Sequence, residues 1–264
     1  MESTLSLKKI DFEAKVGNFF GWGRGAQFDE DAWDDRKIAV IRDCVESGLR
    51  QFYFPVPQGG VPYDWSFLRP VLTITIDDAS STKTLPDDFG GMDGKISISS
   101  PTSRWRFLVE FVNEGVIREL YVKNPERTGV PMWASTRPLK TTGVIEGQRS
   151  ELFWYPTTDE EFTFQFKYYL LANSLDGTHP YAYGGMAHAE TILESCLSIA
   201  ESRYDDQMDG PRSKKYQERL AASIAHDRRN KPEAGMRNTD RSDQEDRYSW
   251  RDREAVSTYN GIVW

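Results

Sequence analysis

The sequence predicts an α+β protein in which terminal helices enclose a β-rich middle. Apolar residues recur at spacings of three and four through residues 38–52 and again through 189–204, which is the period of an amphipathic helix. Between them, short runs alternate apolar and polar residues, as half-buried strands do. The simplest compact arrangement is a terminal α-helical bundle with an inserted β-sandwich or barrel-like domain, followed by an extended C-terminal arm.

Four stretches have helical character. A weakly amphipathic helix at 4–20 ends at the glycine-rich 21–25, and a clearer helix after Asp31 ends at Pro55. The third occupies 189–204, and Gly210-Pro211 separates it from a fourth that ends near Asp227. We expect the apolar stripes of these helices to form the bundle core, whose members are Ile38, Ile41, Val45, Leu49, Phe52, Ile192, Leu193, Cys196 and Leu220.

The middle of the chain contains several short β-like runs. They are 71–76, 96–99, 107–111, 116–122, 132–136, 151–155 and 162–169. In the last run, Phe162, Phe164, Phe166 and Tyr168 share one face. Short strands separated by Gly, Pro and Asp turns favour a sandwich or small barrel. The predicted domains are therefore a helical bundle of 1–64 and 185–228, a β-rich insertion of 65–184, and an arm of 229–264.

The composition of the chain argues against nucleic acid and membrane as binding partners. The formal net charge is −8, whereas a protein that grips nucleic acid is normally basic. No apolar run approaches the ~20 residues that cross a bilayer, so no membrane partner is expected. The start at Met1 lacks the basic and apolar stretches of a signal peptide, which predicts synthesis and assembly in the cytoplasm.

Residues for catalysis or metal binding are sparse. His179, His188 and His226 lack metal-ligand spacing, and the glycines of 21–25 lack a phosphate-loop lysine. We therefore expect no cofactor, no metal and no enzyme activity. Acid pairs such as Asp87-Asp88 usually form turns. The two cysteines either pair or lie buried as thiols, and Asp205–Gly210 has only a weak likeness to a calcium loop.

Two alternatives belong to other classes. A hydrolase would bring two carboxylates together, as the pair Asp87 and Asp88 could do. A carbohydrate-binding protein would stack sugars on exposed aromatic rings, and the aromatic residues available for this in the β-rich region are Trp65, Trp105, Trp133, Trp154, Tyr168 and Tyr169. Aromatic residues in strands more often fill a core or a subunit contact, which is the interpretation we favour.

The tail at 229–264 differs from the rest of the chain. It is rich in both acidic and basic residues, and such a composition buries too little apolar surface to fold alone. It nevertheless finishes in an apolar, aromatic segment. The tail is therefore either a frayed end or a tether with a terminal anchor, whose residues would be Tyr248, Trp250, Tyr259, Ile262, Val263 and Trp264.

Several motifs occur in an order that resembles a known family. They are the helix end Phe52-Tyr53-Phe54-Pro55, then Trp65-Ser66-Phe67-Leu68-Arg69-Pro70, Leu85-Pro86-Asp87-Asp88-Phe89, Thr128-Gly129-Val130-Pro131-Met132-Trp133-Ala134, Leu152-Phe153-Trp154-Tyr155-Pro156, and a closing helix at 188–204 with Ala200-Glu201. In this order they resemble the head-to-tail adaptor proteins of tailed bacteriophages. The resemblance covers about residues 30–228.

The resemblance implies a structural virion protein located in the neck and assembled in the host cytoplasm. Such adaptors form a homo-oligomeric ring, commonly a dodecamer, below the portal protein, and they join the capsid to a further neck or tail protein. Double-stranded DNA would pass through the ring without specific binding, which an acidic subunit favours. The C-terminal arm would dock on the portal. The alternative is a carbohydrate-binding or peptidoglycan-degrading virion protein.

Overall fold

The computed structural model describes residues 3–22, 33–55, 63–100, 106–139, 148–207 and 209–230, together with the backbone of 258–259 and 262–263. The chain divides into two compact units, 1–224 and 225–264. In the second unit, strands β8 (Thr258–Tyr259) and β9 (Ile262–Val263) pair with each other in antiparallel fashion. The sheet and the helix packing described below belong to the first unit.

The described residues form a mixed α/β structure with five α-helices. These are α1 (Lys9–Phe19), α2 (Asp35–Tyr53), α3 (Glu114–Lys123), α4 (Gly185–Tyr204) and α5 (Pro211–Asn230). Helix α2 buries one stripe and leaves charged residues on the other side, as its sequence period predicts. Gly210 and Pro211 stand where α5 begins, and proline suits this position because its missing N–H would have no helical partner there.

Seven strands form a nearly closed, barrel-like sheet in the order β1-β7-β3-β4-β5-β6-β2. Only β4 and β5 are parallel, and they pair at two positions. The other neighbouring strands pair in antiparallel fashion. The strands are β1 (Val71–Ile76), β2 (Thr82–Thr84), β3 (Phe89–Ser99), β4 (Arg106–Phe111), β5 (Trp133–Pro138), β6 (Ser150–Tyr155) and β7 (Phe162–Leu170).

Strand β7 shows why the sheet has a distinct interior. Phe162, Phe164 and Phe166 are buried, while the residue that follows each of them, Thr163, Gln165 or Lys167, is more exposed. Side chains of a strand point alternately to its two faces, so this pattern places the aromatic rings inside the sheet. The same apolar cluster includes residues of α1, α2 and α4, and the helices and the sheet thus share one core.

One predicted strand is wrong. Residues 116–122, expected to be a β-like run, lie within helix α3. Asn113 accepts a hydrogen bond from the Gly115 N–H and caps the helix, and the ion pairs Glu114–Arg118 and Glu119–Lys123 stabilise it at a spacing of four residues. The helix covers Phe153 and Tyr155 in a second, smaller apolar cluster around Ile117.

The mixed α/β class and the barrel-like sheet confirm the coarse fold prediction. The arrangement of the terminal helices as a bundle stays a prediction, as do the domain boundaries. The first helix begins at Lys9 rather than at residue 4, because residues 4–6 form a turn in which the Ser6 N–H donates to the Ser3 carbonyl at 3.0 Å.

Candidate functional site

The predicted core residues of the helices lie mostly where α2 and α4 meet. Ile38 and Leu220 are half-buried, and Leu220 packs against the main apolar cluster. The other seven are buried, namely Ile41, Val45, Leu49, Phe52, Ile192, Leu193 and Cys196. The two helices approach so closely at Gly48 that a Cβ there would lie 2.6 Å from the Cα of Cys196. The Ser195 hydroxyl donates to the Gly48 carbonyl oxygen at 2.8 Å across the same contact.

Two buried glutamates of α4 hold the start of α5. The carboxylate of Glu201 accepts the backbone N–H of Arg212 at 3.0 Å and that of Ser213 at 3.2 Å. It therefore satisfies two of the N–H groups that a helix leaves unbonded at its N-terminus, and its charge favours the positive end of the helix dipole. Glu194 pairs with the guanidinium of Arg212 at 3.3 Å and with Lys215. The first turn of α5 is thus attached to α4 by charge-assisted bonds.

An aromatic cluster joins the end of α2 to the start of α4. The Trp65 indole N–H donates to the Phe52 carbonyl at 3.0 Å, and the two ring centroids are 4.6 Å apart. Phe67, on the short 3-10 turn Ser66–Leu68, lies 5.3 Å from the Trp65 ring. His188 packs against all three rings at centroid distances of 5.2–5.9 Å. The segment before β1 is thereby fixed against both helices.

At one end of the sheet, the turn after β1 is bonded to the turn before β7. The Thr158 hydroxyl donates to the Asp77 carbonyl at 2.8 Å and accepts the Ser80 N–H at 3.0 Å. The Trp154 indole donates to the Ser80 carbonyl at 3.1 Å. Thr158 and Trp154 are almost fully buried, so these bonds are shielded from water.

The buried thiols and hydroxyls serve packing rather than reactivity. Burial raises the pKa of the Cys44 thiol to about 11, and burial also raises the pKa of Cys196. Both cysteines are free thiols, and a protonated thiol is a poor nucleophile. Burial raises the pKa of Tyr216 to about 12, while its hydroxyl donates to the Gln51 carbonyl at 3.1 Å. The burial expected for the two cysteines is therefore found.

Residues named for a hydrolase or a sugar site have structural partners. An Asp87 carboxylate oxygen lies 3.1 Å from Nε of Arg149, and Asp88 accepts the Tyr168 hydroxyl at 3.2 Å. Trp65 and Trp154 are buried, and Trp133 is half-buried. Trp105 lies outside the described residues.

Two surface cavities measure about 30 Å³ and about 120 Å³, beside Glu13 and beside Gln165. Sites for small molecules usually measure about 300–1,000 Å³, so both cavities are small for a substrate. Within the described ranges, no group of three or more His, Cys, Asp or Glu side chains is placed to hold a metal ion.

The proposed anchor residues of the arm are only partly described. Tyr248, Trp250 and Trp264 lie outside the described residues. The backbone of Tyr259 pairs with that of Ile262 in the short hairpin, and Val263 pairs with Thr258.

No protein-family model matches the chain, and a search of curated proteins finds no match either. Among the described helices, none has the length and apolar character needed to cross a membrane.

Sequence reasoning missed the role of Glu194 and Glu201. Their acidic side chains lie on the buried side of α4, where a stripe analysis expects apolar residues. The dipeptide Gly210-Pro211 carried a usable signal, because proline at the first helical position places the N-terminus of α5 there. A buried carboxylate at that terminus becomes visible only when α4 and α5 are seen together.

Proposed function

We propose that this chain is a structural virion protein that forms a ring below the portal, joins capsid to tail and extends the DNA channel. The proposal combines the sequence resemblance to head-to-tail adaptors with the fold described above. It needs no catalytic group, because the protein acts by holding other proteins in position.

One observation carries the proposal. Five residues of the adaptor-like motifs lie buried at the joints of the fold, although Phe54 and Met132 of the same motifs are exposed; the five are Trp65, Leu85, Phe89, Trp154 and Glu201. Trp65 fixes the segment between α2 and β1, and Leu85 and Phe89 are buried on either side of the turn before β3. Trp154 donates to the turn after β1, and Glu201 caps α5. Motifs that set the frame of a fold are the ones that proteins with a shared architecture would keep.

In this proposal, α1, α2, α4 and α5 act as a terminal bundle and form the ring wall. Direct packing of α1, α2 and α4 against one another supports a rigid wall. The barrel-like sheet would face the next neck or tail protein. The net charge of −8 repeats in every copy, so the lumen of a ring would not attract passing duplex DNA.

The arm after α5 would anchor the ring on the portal through Tyr259, Ile262 and Trp264. Docking of this arm would couple ring assembly to a portal that is already in place.

The experiment mixes purified protein with portal rings encoded by the same genome and images the product by cryo-electron microscopy. A closed ring of this chain on one face of the portal is the expected result. A chain that lacks 231–264 should remain folded by circular dichroism and should no longer bind the portal. Full-length protein that leaves the portal bare at about 100 µM would overturn the proposal, because a specific joint binds well below that concentration.

A further inference from the structure

Strand β1 lies at one end of the sheet, and among the described strands it pairs with β7 alone. The Tyr168 N–H donates to the Pro70 carbonyl at 3.2 Å, so these two residues form a hydrogen-bonded pair. Such pairs alternate along an antiparallel ladder, so every second residue after Pro70 also faces β7 with its backbone groups. The N–H and C=O groups of Val71, Thr73 and Thr75 therefore point to the open side of β1, where no described residue bonds them.

The two edge strands of the sheet differ in their protection against pairing with another chain. Strand β2 has 3 residues with Lys83 at its centre, and short length and a lysine both discourage such pairing. Strand β1 has 6 residues, none of them charged, proline or glycine, and it follows β7 without a bulge. An edge strand without these protective features readily accepts a further strand from another chain.

The side chains of β1 also leave room for a neighbouring strand. Leu72 and Ile74 point to the inner face of the sheet but are only half-buried. Their partners on β7, Phe166 and Phe164, are 3% and 0% exposed. The inner face is thus less covered along the open side of β1 than one strand further in. A strand added beside β1 would cover the remainder of Leu72 and Ile74.

We propose that β1 of one copy pairs with β1 of a second copy, in antiparallel fashion about a two-fold axis at Thr73. Backbone groups on the two open sides can bond only where the odd-numbered residues of the strands stand opposite one another. The register that uses all of them places Thr73 opposite Thr73 of the second copy, and Val71 opposite its Thr75. Each of these pairs exchanges two backbone hydrogen bonds.

A second copy is the occupant because β1 is complementary to itself in this register. Leu72 meets Ile74 of the second copy on the inner face, so apolar side chains meet at both positions. The strand contains no charge, and the first charged residues on its two sides, Arg69 and Asp77, have opposite signs. Antiparallel pairing brings the end with Arg69 beside the end with Asp77. Arg69 already pairs with two carboxylates, so this attraction orients the strands more than it holds them.

The contact is small and therefore reversible. A strand of 6 residues is ~20 Å long and offers less than the ~800 Å² per partner of a standard interface. The dissociation constant of the pair lies between about 10 µM and 1 mM. Pairing covers an edge that would otherwise add strands from other chains. This inference goes beyond the proposed function and does not rest on it, because a two-fold pair is a contact of free protein and differs from the head-to-tail contacts of a ring.

Cysteine cross-linking with oxidised glutathione tests the register, since both native cysteines are buried. Thr73→Cys should give a disulfide-linked dimer, because its Cα would lie ~5.5 Å from that of its counterpart. Val71→Cys and Thr75→Cys should each stay monomeric alone, because identical positions would be ~14 Å apart, and should cross-link when mixed. The matched control is Gln165→Cys, which is exposed on the outer face of β7, one strand in from the edge, and should not cross-link.

Sedimentation under reducing conditions gives a second measurement. Thr73→Lys would place two ammonium groups opposite each other at the axis and should weaken self-association at least tenfold. Gln165→Lys adds the same charge to the neighbouring strand and should associate like the native chain. Both positions are exposed, and circular dichroism verifies that both variants melt within a few degrees of the native chain.

A native chain that stays monomeric at about 1 mM would overturn the inference. Native-like association of Thr73→Lys would do the same, as would equal cross-linking of Gln165→Cys, or a mixture of Val71→Cys and Thr75→Cys that cross-links no more than each variant alone. Portal-bound rings from a chain that shows no β1 pairing would refute the pair and leave the proposed function standing. A chain that pairs through β1 and leaves the portal bare would refute the proposed function alone.

Discussion

The contact between α2 and α4 yields the sharpest stability prediction, the substitution Gly48→Ala. A methyl group there would lie 2.6 Å from the Cα of Cys196 and 2.7 Å from both its N and its Sγ. Two of these three atoms are backbone, so the clash cannot be relieved by a side-chain rotation. The helices must move apart by ~1 Å, which loosens the packing along their shared face.

The magnitude follows from opposing contributions. Alanine is better than glycine inside a helix by about 1 kcal/mol. Overpacking a tight core costs about 1–3 kcal/mol, and stretching the 2.8 Å bond from Ser195 to the Gly48 carbonyl costs about 1 kcal/mol more. With the middle of the overpacking range, the net loss of stability is about 2 kcal/mol. For a chain of this size, such a loss lowers Tm by roughly 4–8 °C.

Thermal and urea unfolding followed by circular dichroism measure this change. Gly177→Ala is the matched control, because a Cβ at Gly177 meets no atom within 4 Å. Its Tm should stay within about 1–2 °C of the native value. A Gly48→Ala protein that melts at or above the native temperature would show that the helices are not held at the described distance.

Three further predictions concern buried polar groups. Glu201→Ala should lower the free energy of unfolding, measured by urea titration, by about 2 kcal/mol, because α5 loses its charged cap. The control Glu190→Gln, on the exposed side of α4, should change the free energy of unfolding by less than about 0.5 kcal/mol. Equal losses in the two variants would contradict the capping role of Glu201. Thr158→Val should lower the free energy of unfolding by about 1–3 kcal/mol, and it should speed amide hydrogen exchange at Ser80, because the Ser80 N–H loses its acceptor. An unchanged exchange rate at Ser80 would refute that hydrogen bond. Burial raises the pKa of Tyr216 to about 12, so the contribution of its neutral hydroxyl to the free energy of unfolding is complete below pH 10 and is lost as the pH rises from 10 through 12. Urea titrations between pH 9 and pH 12 should show that the free energy of unfolding declines less steeply with pH for Tyr216→Phe than for the native chain. An identical decline would contradict the burial of Tyr216.

Periodic segments were predictable because their burial is uniform along one face. Helix α2 was expected to end before Pro55 and ends at Tyr53. Strand β7 was expected at 162–169 and runs from Phe162 to Leu170, with its aromatic side chains inside. In both cases the spacing of apolar residues along the sequence matches the buried face, so the local sequence is enough to predict the element.

Features that depend on two distant elements could not be predicted. The sequence of α3 predicts a strand, because Val116, Ile117 and Val122 favour β structure. Its packing against Phe153 and its Asn113 cap decided otherwise. The partners of Glu201 lie on the next helix, α5, which begins after Gly210. No local sequence pattern indicates that a carboxylate of α4 will be buried against the start of that helix.

Among the paired neighbours in the sheet, the line between β4 and β5 has the fewest residue pairs, namely Glu110 with Trp133 and Phe111 with Ala134. Under a pulling force along the strands, this line would shear first, since so few backbone bonds resist it there. The turns around Thr158 hold the start of β7 to the end of β1, so deformation of the sheet under load would begin at the line between β4 and β5.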